Sequence, residues 1–384
     1  MRHNHIRRRS KVKAQGWRAV GELATTGICH RSTSPSPPGR CSTSRRPVWI
    51  FAACVLLAAG AWWPGHASDP QPPIPLQVQR PLEMGDWPAL LNGLAADPLT
   101  NTILRLAVVR ALFETGRLPE EQFSWLHCPG PELLSTTDLK QHVGSAHVAE
   151  TLLELGHLNG AERLAFDSLE MEGETPPVLR TLARLHVVKG LPDAAGIFLS
   201  RLQAYPEHCA WAVRFRAGLA TNSPAAADPT ISRIRANLIT RDGIATGLTT
   251  ERLLRQALES NPENRMAFQF LMAHQLLARR LPYALRTLAT SPQTREGPLP
   301  RHYAEALLLH RHLHPDISLG ALLPRVPPAV AASFQGFKEM MNRTTGSREQ
   351  LQAQAWRDFG NTYWYYYFFG PLHQPSRLPS PGNS

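Results

Sequence analysis

Four short turn signals constrain this chain more than any other feature. They read Gly116-Arg-Leu-Pro119, Gly156-His-Leu-Asn159, Gly190-Leu-Pro192 and Arg280-Leu-Pro282. Glycine ends a helix because it adopts positive φ without steric cost. Proline opens the next helix because its missing N–H would be unpaired there anyway. Gly156 and Gly190 are 34 residues apart, with Ala161 and Ala195 five residues after and Ala149 and Ala183 seven before. Small side chains at those places let the two helices of a hairpin approach closely. A further helix is expected to end at Asn261-Pro262, and Ala273 and Ala284 flank the Arg280 turn. Between the turns Leu and Ala dominate, apolar residues recur at three and four, and no strand-like alternation is visible. Residues 82–370 are therefore expected to be all-α, built from helical hairpins.

The segment 177–206 carries Leu182, Ala183, Gly190, Ala195, Leu199, Leu202 and Pro206 at hairpin positions. It resembles the tetratricopeptide repeat, a 34-residue helix–turn–helix unit. Segments 251–291 and 145–173 resemble it less closely. Most of the repeat's aromatic positions are missing, and the likeness covers about a third of the chain. It implies a tetratricopeptide-like α-solenoid, whose slightly rotated hairpins form a groove for extended peptides or helices. The competing expectation is an irregular helical bundle.

Charge is unevenly placed. The formal net charge is +11, yet residues 1–46 hold 11 Lys+Arg and one acid, Glu22, so the rest carries only about +1. A nearly neutral body offers no phosphate-binding field, and nucleic acid is not expected as a partner. Residues 1–46, rich in Arg, Ser, Thr and Pro, read as a disordered cytoplasmic tail. Residues 47–63 follow, with an uncharged run from Val48 to Trp63, two arginines before it and Trp62 and Trp63 at its far end. At ~1.5 Å per residue the run is about 24 Å long, between a signal-peptide core and a minimal span. A single-pass anchor and a cleaved signal both fit. Either places the following chain outside the cytoplasm, attached to the membrane or secreted to the periplasm. A cytosolic protein is the third option. Residues 64–81, with Pro70, Pro72, Pro73, Pro75 and Pro81, read as a stiff extended linker, and 371–384 as a disordered tail.

Known chemical signatures are sparse. Phosphate-binding glycine loops and the Gly-x-Ser-x-Gly elbow are absent. His310 and His314 share a helix face at a workable metal spacing, but no third ligand accompanies them, so a solvated helix end is the expectation. Cys128 and Cys209 are 81 residues apart and are expected unbonded. Glu120, Glu121, Glu170 and Glu172 read as solvated faces or helix-dipole partners. No catalytic residue, cofactor, metal or small-molecule substrate is assigned.

The C-terminal run Tyr363-Trp-Tyr-Tyr-Tyr-Phe-Phe369 is more aromatic than one buried stripe requires. A capping box at Ser347 and Gln350 opens its helix, whose stripe of Leu351, Ala355, Phe359 and Tyr363 is expected to face Val330, Phe334, Phe337 and Met341. The rings either close the solenoid or, as Tyr363, Trp364, Tyr365, Tyr366 and Tyr367, contact a membrane interface or a partner. His302-Tyr-Ala-Glu-Ala-Leu-Leu-Leu309 and Phe359-Gly-Asn-Thr-Tyr-Trp-Tyr-Tyr366 resemble the end of an uncharacterised bacterial membrane-protein family that joins a membrane region to an outer helical-repeat domain. This chain has one candidate span where that family has many, and the resemblance implies no activity. The functional expectation is a membrane-anchored, extracytoplasmic interaction module or assembly factor for a protein partner of unknown identity. The alternative is a cell-envelope enzyme or glycan-binding accessory protein whose site is not visible in sequence.

Overall fold

The computed structural model describes residues 74–95, 102–125, 145–239, 249–315, 320–343 and 347–370. The expected basic tail, the apolar segment 47–63, the linker before Ile74, Cys128 and residues 371–384 lie outside them. Among the described residues every regular element is helical, and no helix is long and apolar enough to cross a membrane.

The N-terminal half comprises α1 (Leu76–Met84), α2 (Trp87–Leu94), α3 (Thr102–Glu114), α4 (Leu118–Glu121), α5 (Ser145–Leu155), α6 (Leu158–Glu172), α7 (Pro176–Val188), α8 (Pro192–Leu202), α9 (Pro206–Ala220), α10 (Pro224–Ala227) and α11 (Thr230–Asn237). It continues with α12 (Thr250–Ser260), α13 (Arg265–Leu277), α14 (Leu281–Thr290), α15 (Arg301–Leu313), α16 (Pro328–Arg343), α17 (Arg348–Phe359) and α18 (Tyr363–Phe369). Helix α1 corrects the linker expectation from Leu76 onward. Val78 and Leu82 are buried on one face of it, and Pro81 is accommodated within it. Burial of that face outweighs the poor helical fit of proline.

The four expected turns are present, and they share one hydrogen-bond pattern. Gly116, Gly156 and Gly190 sit at φ of 73°, 97° and 76°. In each case the glycine N–H and the next N–H bond back to carbonyls three and five residues earlier, as Gly156 to Leu153 and His157 to Leu152. This is the Schellman cap, which satisfies carbonyls that the helix end leaves open. The turn before Arg280 uses Arg279 at φ 55°, a position that disfavours a side chain. The same pattern closes α1 at Gly85-Asp86 and α9 at Asn222-Ser223, two turns that the sequence reading missed. Ala149, Ala161, Ala183 and Ala195 are all fully buried, as their spacing predicts.

From α5 to α10 the helices pair with their neighbours in chain order, and α3, α5 and α7 pack side by side. The second half does not simply continue that series. Helix α11 lies across α5 and α7, while α13 packs on α3 and α4, and α15 on α4 and α18. Helix α13 is buried at every position from Met266 to Leu277. A helix that is apolar nearly all round seeks a central place. The expected serial arrangement over 82–370 thus gives way from α11 onward to packing between segments distant in sequence.

Gly156 marks where these layers meet. A Cβ there would lie 1.8 Å from the Asn237 carbonyl oxygen. Ile239 N–H donates to the Gly156 carbonyl at 3.2 Å, and Asn264 Nδ2 to the Leu155 carbonyl at 3.3 Å. Around Gly190 a Cβ would meet nothing within 4 Å. Gly190→Ala should therefore cost only the left-handed backbone penalty, about 1–2 kcal/mol, whereas Gly156→Ala should cost more than twice as much. Urea denaturation of the two variants checks this, and equal losses would contradict the close approach.

Candidate functional site

Helices α3, α5 and α7 are first helices of successive hairpins, so equal distances from their turn glycines bring residues to equal heights. Six residues before the glycine stand Arg110, Glu150 and Arg184; two before stand Glu114 and Glu154. Stacking turns this register into a ladder of alternating charge. Arg110 donates to Glu150 at 3.3 Å and also reaches Glu154, while Arg184 bonds Glu150 on its other side. The ladder extends at both ends. Arg184 Nε donates to Asp228 at 2.7 Å, and Arg233 of α11 bridges Glu154 and Glu114, the latter at 3.2 Å. The resulting chain runs Asp228–Arg184–Glu150–Arg110–Glu154–Arg233–Glu114. Arg180, one turn before Arg184, stands beside it, 3.5 Å from Glu150 and donating to the Glu83 carbonyl at 2.7 Å.

Arg180 and all members of this chain except Asp228 line a cavity of about 450 Å³, with Met84, Gly85, Trp87, Pro229 and Thr230 completing its wall. That volume suits a small ligand or a few residues of peptide. The Arg110 guanidinium lies over the Trp87 ring at 5.2 Å, and Arg184 over Trp211 at 5.5 Å.

The electrostatics fix these charges. Burial alone would raise the Glu150 carboxyl, but the guanidiniums of Arg180, Arg110 and Arg184 overcome it and hold the group well below the usual carboxylate range. Burial would likewise raise Asp228, and Arg184 reverses it. Arg110 and Arg184 are desolvated, yet their carboxylate neighbours keep both pKa values above the ordinary value. Arg180 goes the other way. Burial and the nearby Arg184 and Arg110 lower it despite Glu150. His147, half-buried on α5, is pushed down to about 4 by desolvation, reinforced by Arg180 and Arg110. Groups held in one ionisation state at neutral pH are poor proton shuttles there.

The aromatic C-terminus occupies a different place. The expected single helix breaks at Gly360 into α17 and α18, and Thr362 caps the second by accepting from Tyr365 N–H at 3.2 Å. Ser347 and Gln350 form the expected capping box. Tyr363, Trp364, Tyr365 and Tyr366 are buried in the chain itself, and Tyr367 is half-buried. A surface role for the first four is thereby corrected: their rings pack on Phe123, Phe334, Phe337 and Trp356 at centroid distances of 5.0–6.0 Å. Buried Glu305 receives the Tyr363 N–H at 2.7 Å, and Arg279 donates to the carbonyls of Tyr366 and Gly370 at the other end. His302 Nε2 accepts from Phe123 N–H at 3.4 Å, which leaves Nδ1 to donate to Glu305 at 2.8 Å. The two halves of the C-terminal sequence likeness, His302–Leu309 and Phe359–Tyr366, thus meet at one buried carboxylate.

His310 is buried beside His314, with ring centroids 4.8 Å apart, which corrects the solvated helix end expected for it; His312 and His314 are exposed. Among the described residues no group of three metal-capable side chains forms. Cys209 is a free, half-buried thiol. Glu120 accepts from the Arg301 N–H at 3.2 Å, and Glu121 pairs with Arg117 on its own helix turn.

Two outcomes test the ladder. Arg110→Met removes the buried cation that Glu150 and Glu154 share and leaves each with fewer partners, an expected loss of about 3 kcal/mol. Arg343→Gln removes an exposed pair with Glu339 and should cost under about 1 kcal/mol in the same denaturant titration. For His147, the folded pKa lies below the unfolded value, so the unfolded chain binds the proton first. Stability should then fall as pH drops from about 6.5 to about 4, by at most ~1.4 kcal/mol per pH unit. His147→Gln should flatten that slope in thermal melts across the window. His208 and His310, also lowered by burial, would retain a weaker dependence of the same sign.

No curated protein and no solved structure matches the chain. One family model does, a family of unknown function designated DUF6057, over residues 20–370. With most of its length covered by that match, the chain belongs to the DUF6057 family.

Proposed function

We propose that this chain is a helical-repeat binding protein, an interaction module or assembly factor with no catalysis of its own. In this reading the hairpins from α5 to α10 are a short tetratricopeptide-like solenoid. Residues 47–63 hold the helical body to a membrane from outside the cytoplasm. The partner engages the cleft formed where α3, α5 and α7 stack. The observation that carries the reading is the cleft itself, a cavity of about 450 Å³ walled by four arginines and three glutamates whose charges are held by one another. Arg and Trp at a cavity wall are the residue types on which binding energy concentrates. An envelope enzyme or glycan-binding accessory protein is the second reading, and Trp87 on the cleft wall is what favours it. Acid–base catalysis fits less well, because Glu150 and Asp228 are both lowered by their arginine neighbours.

The topology is supported by Arg45 and Arg46 before the apolar run and Trp62 and Trp63 after it. A benzophenone side chain replacing Met84 at the cleft rim should give a discrete protein adduct in living cells. The same probe at Tyr283, exposed on α14, should not. Arg233→Glu should abolish the Met84 adduct. Equal labelling from both positions, or none, would sink the interaction reading. Membrane fractionation with N-terminal sequencing tests the anchor: a product retaining residues 47–63 in the membrane supports it, and a soluble product lacking them overturns it.

A further inference from the structure

We propose that the cleft is an oxyanion site, in which Arg180 and Arg110 receive a carboxylate or phosphate group. This rests on the binding reading above and deepens it by naming the chemistry of the occupant. The alternating chain from Asp228 to Glu114 uses three arginines to tie four carboxylates together. Arg180 is the fourth arginine and has no carboxylate of its own. Its ion-pair contact is Glu150 at 3.5 Å, a group already shared by Arg110 and Arg184. Its one short bond is to the neutral Glu83 carbonyl.

The donor inventory agrees. The Nε atoms of Arg110, Arg180 and Arg233 are buried with no acceptor, and all three residues line the cavity. The Arg110 side chain is only 6% exposed. Donors left unmade in a desolvated site are costly, more so on a charged group. A guanidinium offers its donors as a planar fork that suits carboxylate and phosphate oxygens. An oxyanion in the cavity would lie among four arginines and relieve the crowding of Arg180 against Arg110 and Arg184.

The test uses the full-length chain in detergent at fixed ionic strength. Thermal stability is followed against inorganic phosphate, acetate, a tetraglutamate peptide and its glutamine analogue, with chloride as the reference. The expected result is a saturable rise in Tm for an oxyanion probe over equimolar chloride. Arg180→Gln should weaken the apparent affinity at least tenfold. Arg201→Gln, at an exposed pair with Glu174, should leave it unchanged. Should Arg180→Gln fail to fold, Arg180→Lys serves, since it keeps the charge but loses the fork and should still bind several-fold more weakly. Saturation by phosphate or acetate assigns a free small anion; saturation by tetraglutamate alone assigns an acidic polypeptide. No saturable effect beyond chloride for any probe, or unchanged affinity in both Arg180 variants, overturns the proposal. Loss of the anion effect with the Met84 adduct intact sinks the oxyanion site alone. The reverse pattern sinks the interaction reading alone.

Discussion

A helix must stop somewhere, and the last carbonyls of a stopped helix need partners. In this chain the same solution recurs at Gly85, Gly116, Gly156, Gly190, Asn222 and Arg279: one residue in left-handed conformation, with two backbone N–H groups folded back. The consequence is geometric. Each cap fixes the length and phase of the helix before it and starts the next helix from the same place. Helices that begin and end alike stack in register, so a side chain at a given distance from one cap faces the side chain at that distance from the next. Once tertiary packing has set α3, α5 and α7 side by side, this shared register brings Arg110, Glu150 and Arg184 together.

Burying such a ladder is expensive. Each ion loses several kcal/mol of hydration, and pairing returns that only when the geometry is good. A hydrophobic wall would stabilise the stack as well or better. The ladder instead places strong, immobile charge beside an open cavity, with three guanidinium nitrogens lacking acceptors.

The C-terminal segment manages charge differently. Helix α18 is only seven residues long and is built of aromatics that are poor helix formers. Glu305 stands at its N-terminus and Arg279 at its C-terminus, each matching the end of the helix dipole it meets. Burial does the rest. An aromatic side chain removes ~150–250 Å² from water, about 4–6 kcal/mol at ~25 cal/mol per Å². The Tyr363 hydroxyl and the Trp364 indole N–H, buried without partners, cost about 1–3 kcal/mol each. The apolar term wins, so the rings go inside. Arg279 tolerates its left-handed backbone because its side chain is tied to the Tyr366 and Gly370 carbonyls and lies over the Tyr366 ring.

Local chemistry was legible from the residues alone. Glycine and proline act within a few bonds of themselves, so the turns at 116, 156, 190 and 280, the all-α class, the buried alanines and the Ser347 capping box could be read directly. The cap at Gly85, followed by Pro88 just as Gly116 is followed by Pro119, was equally legible and was overlooked; the cap at Asn222 lacks glycine. Leu76–Met84 was misread because five prolines dominated the local pattern while Val78 and Leu82 were answering to distant neighbours. The cleft left a faint trace: Arg110, Glu150 and Arg184 interrupt apolar stretches at one register. Single charges in a helix usually face water, and nothing local says otherwise. Only tertiary packing decided that α3, α5 and α7 lie side by side, that Arg233 arrives from α11 to join Glu114 to Glu154, and that α13 takes the centre. These outcomes depend on contacts between residues about 40 to 180 positions apart, whose pairing no local preference encodes.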